Sequence, residues 1–216
     1  MFNHMSAKRR IKNFKEREIA AMYKYFNQLN KGAMPNKSVV LPQDPTKLAS
    51  TEKREALEAV NLIKENLTGI IKGRTCANGS KQRIVLKDGE DFVSPMMSLE
   101  ALFISLVIDT PEGRYIDTFD IPDTYIHAEI PEYKQILLKL RDEFVDIMFD
   151  VNEEHRKNVV INNGKRVLYM RVVRAIYGRT QSTLLWYDLY ANKLEDMGFE
   201  INPYDKCIVK KMINGN

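Results

Sequence analysis

Asp120 emerges from a short apolar stretch, with Phe119 before it and Ile121 and Pro122 after it; Asp123 and Tyr125 follow three and five residues on. A carboxylate at the end of a strand suits a hard divalent ion, because magnesium takes one or two carboxylates and fills its other positions with water or phosphate oxygens. Two such ions a few ångströms apart carry in-line transfer of a phosphoryl or nucleotidyl group. One activates the attacking hydroxyl; the other stabilises the leaving oxygen. By spacing alone, Asp120 reads as a turn or capping residue and Tyr125 as a core aromatic. Other chemistries find no pattern. His4, His127 and His155 do not cluster with a cysteine at zinc-ligand spacing. The sequence has no Walker-type phosphate loop and no dinucleotide fingerprint.

The elements that must position these residues follow from periodicity. Ile19, Met22, Tyr23, Phe26 and Leu29 recur at helical spacing and predict a helix over 12–30, stopped near Gly32. Residues 32–50, with three prolines, read as a linker. Glu58 to Lys64 and Ile70 to Ala77 flank Asn66-Leu67-Thr68-Gly69 as a hairpin, and Lys72, Arg74, Lys81, Arg83 and Lys87 make its second half and the loop after it basic. Ser98 reads as an N-cap, with Leu99, Leu102, Phe103 and Leu106 on one helix face until Pro111 and Gly113. Tyr115 to Ile121 and Gln135 to Leu140 read as strands, and Asp142 to Phe149 as a short helix. Asn163-Gly164 between Val159–Ile161 and Val167–Val172 is a strong hairpin signal. A helix is expected over 181–197, with Trp186, Leu189, Tyr190, Leu194 and Met197 inward, then a last, unpaired strand over 207–212. Strands and helices that mix without strict alternation predict an α+β fold.

Composition narrows the class. The chain has 216 residues and 44% hydrophobic content, enough for a folded core. No apolar run approaches the roughly 18–20 residues that a membrane span needs, and the N-terminus carries no hydrophobic signal segment. No membrane partner is therefore expected, nor secretion; the expectation is an intracellular protein, with cytoplasm and nucleus both open. Cys76 and Cys207 fit free thiols in a reducing compartment. The net charge of +4 is uneven: residues 1–31 carry eight Lys or Arg against two Glu, a surplus of +6, so the remainder sums to −2. Such a basic arm, with Arg9 and Arg10 at its centre, suits phosphate contact. It equally describes a solvated helix face or tail.

Three motifs, in order, resemble the reverse transcriptase of copia-type (Pseudoviridae) long-terminal-repeat retrotransposons over about residues 56–212. Asp120-Ile121-Pro122-Asp123-Thr124-Tyr125 resembles the family's first catalytic motif, in which an Asp is followed by an acidic or basic residue, a small residue and an aromatic. Ile176-Tyr177-Gly178-Arg179-Thr180-Gln181-Ser182, followed by Trp186-Tyr187, resembles the family's Leu-Tyr-Gly-Leu-Lys-Gln-Ser-Pro with its later Trp-Tyr. Lys72-Gly73-Arg74-Thr75-Cys76-Ala77-Asn78-Gly79 resembles Lys-Ala-Arg-Leu-Val-Ala-Arg-Gly. The resemblance implies RNA-directed DNA synthesis with Mg2+, on an RNA template and DNA primer with a dNTP, and a right-hand fold. Its antiparallel palm sheet, packed on helices, would take about 96–131 and 174–216, and its basic fingers about 56–95 and 132–173. Residues 1–55 would be a basic helical leader and linker.

By the same resemblance Asp120 is the first metal ligand and catalytic carboxylate, Asp123 lies near the triphosphate, and Tyr125 sits under the incoming sugar. Lys72 and Arg74 would meet the triphosphate, though either residue type also suits plain solvent exposure. Gly178 would let backbone approach the nucleotide, and Gln181 would open a helix whose free N–H groups favour phosphate. Arg9, Arg10, Lys81 and Arg83 are the nucleic-acid-binding candidates. Trp186 and Tyr187 read as core packing.

The sequence departs from the family in three places. Thr183 stands for the usual proline and Thr180 for the usual lysine, and no two aspartates are adjacent anywhere. The family's second carboxylate pair, on a hairpin expected shortly after Asn214-Gly215, is missing. The expectation is a polyprotein fragment, truncated before that hairpin, that partners the rest of the polyprotein and is inactive by itself. The alternatives are a non-catalytic nucleic-acid-binding remnant and a chain left aggregation-prone by an open strand edge.

Overall fold

The computed structural model describes residues 5–6, 15–32, 37–80 and 94–213. The candidates Arg9, Arg10, Lys81 and Arg83 lie outside them. In chain order come β1 (Met5–Ser6), α1 (Lys15–Lys31), β2 (Val40–Pro42), α2 (Ser50–Glu55), β3 (Leu57–Glu65), β4 (Ile71–Ala77) and α3 (Leu99–Asp109). They are followed by β5 (Ile136–Arg141), α4 (Glu143–Val151), β6 (Val159–Asn162), β7 (Lys165–Val172), α5 (Ser182–Asp196), β8 (Glu200–Ile201) and β9 (Val209–Lys210). Short 3-10 turns occupy Thr124–His127, Glu132–Lys134 and Glu153–Asn158. The fold is α+β: a mostly antiparallel sheet with helices packed on it.

Seven strands make the main sheet, in the order β1-β3-β5-β7-β2, with β4 beside β3 and β6 beside β7. Only β3 and β5 run parallel among these pairs, meeting at Leu57–Leu138 and Glu58–Lys139. Alternation along the strands divides the side chains between two clusters, as a pleated strand requires. Leu138 and Leu140 of β5, and Leu168, Met170 and Val172 of β7, join the main core under α1 and α4. Leu137, Val167 and Tyr169 turn the other way, onto Leu48 and Ala56.

Helix α1 matches its predicted span closely, but its buried face is rotated. Met22, Phe26 and Leu29 are buried as expected, while Ile19 and Tyr23 are exposed and Tyr25 is buried instead. The Tyr25 hydroxyl donates to the Thr75 carbonyl at 3.3 Å, which fixes that side of the helix on β4. Phe26 meets Phe144 of α4 edge-on, at 6.5 Å between ring centres. The helix is thus built into the same core as the strands. It can cross β4 closely because residue 73 is glycine: a Cβ there would lie 2.8 Å from both the Ala21 carbonyl oxygen and Met22 Sδ.

Four expectations need correction. Residues 115–121 form no strand, and 111–120 are exposed throughout. An isolated extended segment without a ladder partner leaves its peptide groups to water, and none of the described strands lies beside this one. Helix α3 forms, with Ser98 Oγ accepting from the Ala101 N–H at 3.1 Å, yet none of its residues is buried and Leu99 and Phe103 stand in solvent. The segment 207–212 contributes β9, which is not unpaired: Val209 and Lys210 pair with Ile201 and Glu200 of β8. The reversal is held by Asn202, whose N–H donates to the Ile208 carbonyl at 2.9 Å while its side chain accepts from the Tyr204 N–H at 2.8 Å. Met197, expected inward, is exposed, because it lies past the end of α5 next to Gly198. Among the described residues, no helix is long and apolar enough to cross a membrane.

Candidate nucleotide-binding cleft

Strand β4 sets one wall of the candidate site. Gly73, Thr75 and Ala77 point into the protein, so period-2 alternation throws Lys72 and Arg74 to the outer face. The inward register is anchored by Thr75, buried, whose hydroxyl donates to Asn61 Oδ1 at 2.7 Å. Helix α1 supplies the second wall. Lys24 and Gln28, one turn apart and hence on one face, flank the buried stripe and look over β4.

The third wall comes from a distant segment. Asp123 adopts a left-handed backbone (φ 52°, ψ 37°) at the start of the turn Thr124–His127, a conformation that Asp tolerates better than most residues. Its carboxylate accepts from Gln28 Nε2 at 2.6 Å. Two residues on, Tyr125 packs edge-on against Tyr177, with ring centres 4.7 Å apart. The Arg74 guanidinium lies over the same Tyr177 ring at 5.0 Å, a cation–π contact. Burial pushes the Tyr125 phenol above its ordinary pKa, with Tyr177 beside it adding to the shift.

Tyr177 is held by a backbone clamp. The Ala77 N–H donates to the Tyr177 carbonyl at 2.8 Å, and Gly178 follows at φ +84° with its α-carbon against the end of β4. A Cβ on Gly178 would lie 2.2 Å from the Ala77 carbonyl oxygen. The glycine therefore serves a close approach between two parts of this chain. The resulting cleft has a cavity volume of about 240 Å³, with Lys24, Lys72 and Arg74 as its cations and Asp123 as its carboxylate. Cations with freely moving donors and a flat aromatic face can take a phosphate and a ring together.

Of the sequence candidates, Lys72, Arg74 and Asp123 line this cleft, Tyr125 backs it through Tyr177, and Gly178, outside the lining, follows Tyr177 against the end of β4. Gln181 turns elsewhere: its side-chain carbonyl accepts from Arg179 Nη2 at 2.7 Å. Asp120 is exposed and does not line the cleft. Lys24, Tyr25 and Gln28 are the residues that sequence reasoning missed. The pairing of Lys24 with Gln28 at i, i+4 was visible, but not which face of α1 would meet β4. Trp186, read as core, is half-buried and stacks on Tyr190 at 5.5 Å.

Magnesium needs a set of oxygen donors. Among the described residues, no three His, Cys, Asp or Glu side chains are grouped to hold a metal ion. Asp123 is engaged by Gln28, and Asp120 stands apart. This donor set does not fit a two-ion centre, and no step is derived through one. Cys76, next along the outer face of β4, is a free thiol; burial pushes its pKa up, partly offset by Arg74. Comparison of the chain with protein-family models, with curated proteins and with solved structures finds no match.

Proposed function

We propose that this chain is a fingers-and-palm fragment of a copia-type reverse transcriptase, and that its cleft binds the triphosphate and sugar of a dNTP. The observation that carries this reading is convergence. Lys72 and Arg74, Asp123, and Tyr177 belong to three motifs spread over a hundred residues, and they line one small cavity, with Tyr125 packed behind Tyr177 and Gly178 next to it in the chain. Lys24, Lys72 and Arg74 take phosphate oxygens, and the Tyr125–Tyr177 pair offers an aromatic surface to the sugar. With Asp120 outside the cleft and no adjacent aspartates in the sequence, the chain binds nucleotide without performing transfer by itself.

The same separation of Asp120 from a cationic cleft favours a second reading, a nucleic-acid-binding module with no catalytic role. Titration of the chain with a dNTP and with a primer–template duplex separates the two. Under the first reading, Arg74→Ala weakens dNTP binding roughly tenfold to a hundredfold, the loss of about 1.5–3 kcal/mol expected of a charged hydrogen bond. Binding of duplex alone, steeply salt-dependent and with no measurable dNTP affinity, supports the second. A dNTP affinity indifferent to Lys72 and Arg74 refutes the first. Asp120-dependent primer extension by the isolated chain overturns the claim that it does not catalyse.

A further inference from the structure

A second cavity, of about 700 Å³, lies at the far end of β4, between Cys76 to Ser80 and Gly178 to Thr180. Arg179 lines it, with only 5% of its surface exposed. Its Nη2 donates to the Lys134 carbonyl and to Gln181 Oε1, both at 2.7 Å. Its Nε and Nη1, which carry one and two protons, are sealed from solvent and have no acceptor among the described residues. A buried cation with most of its donors unsatisfied is among the least favourable arrangements in a protein interior. Every other guanidinium for which a hydrogen bond is described here meets a carboxylate, the Arg17 guanidinium at the surface excepted: Arg114 at Glu112, Arg141 at Glu58, Arg166 at Asp146, Arg171 at Glu52 and Arg174 at Glu129. Burial draws the Arg179 group down to about 10, which leaves it cationic at neutral pH.

We propose that Arg179 is the base of an oxyanion site, separate from the cleft of Lys72 and Arg74, that takes a phosphate group. Arg pairs with both carboxylate and phosphate. The neighbouring charge favours the latter: Lys72 and Arg74 precede Cys76 on the outer face of β4, so the cavity lies at the end of a strand face that carries two cations about 7 Å apart. A multiply charged anion gains most from such a pair. The exposed side chains of Asn78 and Ser80 form the rim, and because Nε and Nη1 are sealed from solvent, anion binding requires this turn to shift. The site does not depend on the polymerase reading, since a free phosphate, a nucleotide's terminal phosphate and a backbone phosphodiester share the chemistry.

The test is thermal unfolding of the whole chain in inorganic phosphate against chloride at equal ionic strength, repeated with pyrophosphate and with a short oligonucleotide. A saturable rise in Tm of about 5–10 °C is expected when phosphate reaches a hundredfold excess over Kd. Arg179→Met abolishes the rise and, without phosphate, melts no lower than the native chain, because an apolar side chain of similar length removes the unpaired charge. Arg179→Lys retains part of the rise. The double variant Lys72→Ala/Arg74→Ala keeps a saturable rise at a weaker affinity, since it loses two nearby charges but not the Arg179 donors, so loss of dNTP binding and loss of this site are distinguishable. A response to oligonucleotide alone identifies the phosphodiester as ligand; a response to phosphate and pyrophosphate identifies a free or terminal group. No rise beyond chloride with phosphate, pyrophosphate or oligonucleotide in the native chain overturns the site, whatever the variants do. So does a rise that survives in Arg179→Met or vanishes with Lys72 and Arg74.

Discussion

Two glycines with nearly the same backbone conformation carry different burdens. Gly164 (φ +71°) closes the β6–β7 hairpin with nothing within 4 Å of a built Cβ, whereas Gly178 (φ +84°) has the Ala77 carbonyl oxygen at 2.2 Å and Cys76 Cβ at 3.1 Å. Gly164→Ala should cost about 1 kcal/mol, the left-handed penalty for a residue with a Cβ. Gly178→Ala adds an overpacking cost and should lose about 2–4 kcal/mol in all. It should also displace Tyr177, and with it the ring beneath Arg74. Urea unfolding of the two variants measures the difference, and equal losses would show that the clamp between β4 and Tyr177 is slack. The sequence marked Gly178 as a close approach but assigned it to a ligand. Nothing in local spacing reveals that the partner is the chain's own Ala77, a hundred and one residues earlier. Arg179 was equally illegible, because an arginine in a turn gives no sign of being buried.

Among the elements, those with local determinants were readable and those made by distant pairing were not. Asn163-Gly164 specifies its hairpin through two left-handed residues (φ 50° and 71°), and β3 and β4 pair over a full register from Ala59–Ala77 to Glu65–Ile71. Strand β2 lies within a proline-bearing stretch read as linker, and exists only because Val40 to Pro42 pair with Val172 to Met170. At its first residues α1 shows no cue for which face will be buried; a tertiary tether at its other end supplies one. His155, 3% exposed in the turn after α4, approaches Asn30 Oδ1 through Nε2 at 3.2 Å, and its Nδ1 has no partner among the described residues. A proton on Nε2 would satisfy this contact. Burial lowers the ring's pKa below the ordinary value, Glu154 opposes that shift and Lys157 reinforces it. With the folded value depressed for a base, the unfolded chain binds the extra proton first. Stability is unaffected above about pH 6.5 and falls as pH drops through and below that value. Melting curves between pH 7.5 and 5 should show this slope, and His155→Gln should flatten it; an unchanged slope in the variant assigns the pH dependence to other groups.

On the scale of the whole molecule, protection is divided sharply. The sheet from β3 to β7 and the helices α1 and α4 enclose the main core, where Leu138, Leu140, Leu168 and Val172 are fully buried. The stretch from α3 to Ile121 contributes no buried residue, although Phe103, Val107, Ile116 and Phe119 are among its side chains. Sequence patterning predicted a helix with one apolar face and a strand here; the apolar face of the helix is real, but patterning names a face without naming what buries it. Local stability follows the number of enclosing contacts and protected hydrogen bonds. The N–H of Thr118, which bonds only its neighbour's side chain, Asp117 Oδ1 at 2.8 Å, should exchange with deuterium nearly as fast as in a peptide. Those of residues 137–140 and 167–172, laddered in β5 and β7, should exchange only on global unfolding. Trypsin under native conditions should accordingly cut after Arg114, exposed between α3 and Asp120, well before Arg141 or Arg171, where cleavage waits for unfolding. The salt links of Arg114 to Glu112 and Asp109 do not alter this order, since exposed ion pairs contribute little. Protection at 115–120 equal to that of β5 would mean that this segment is covered in solution, and that Asp120 stands in an ordered setting after all.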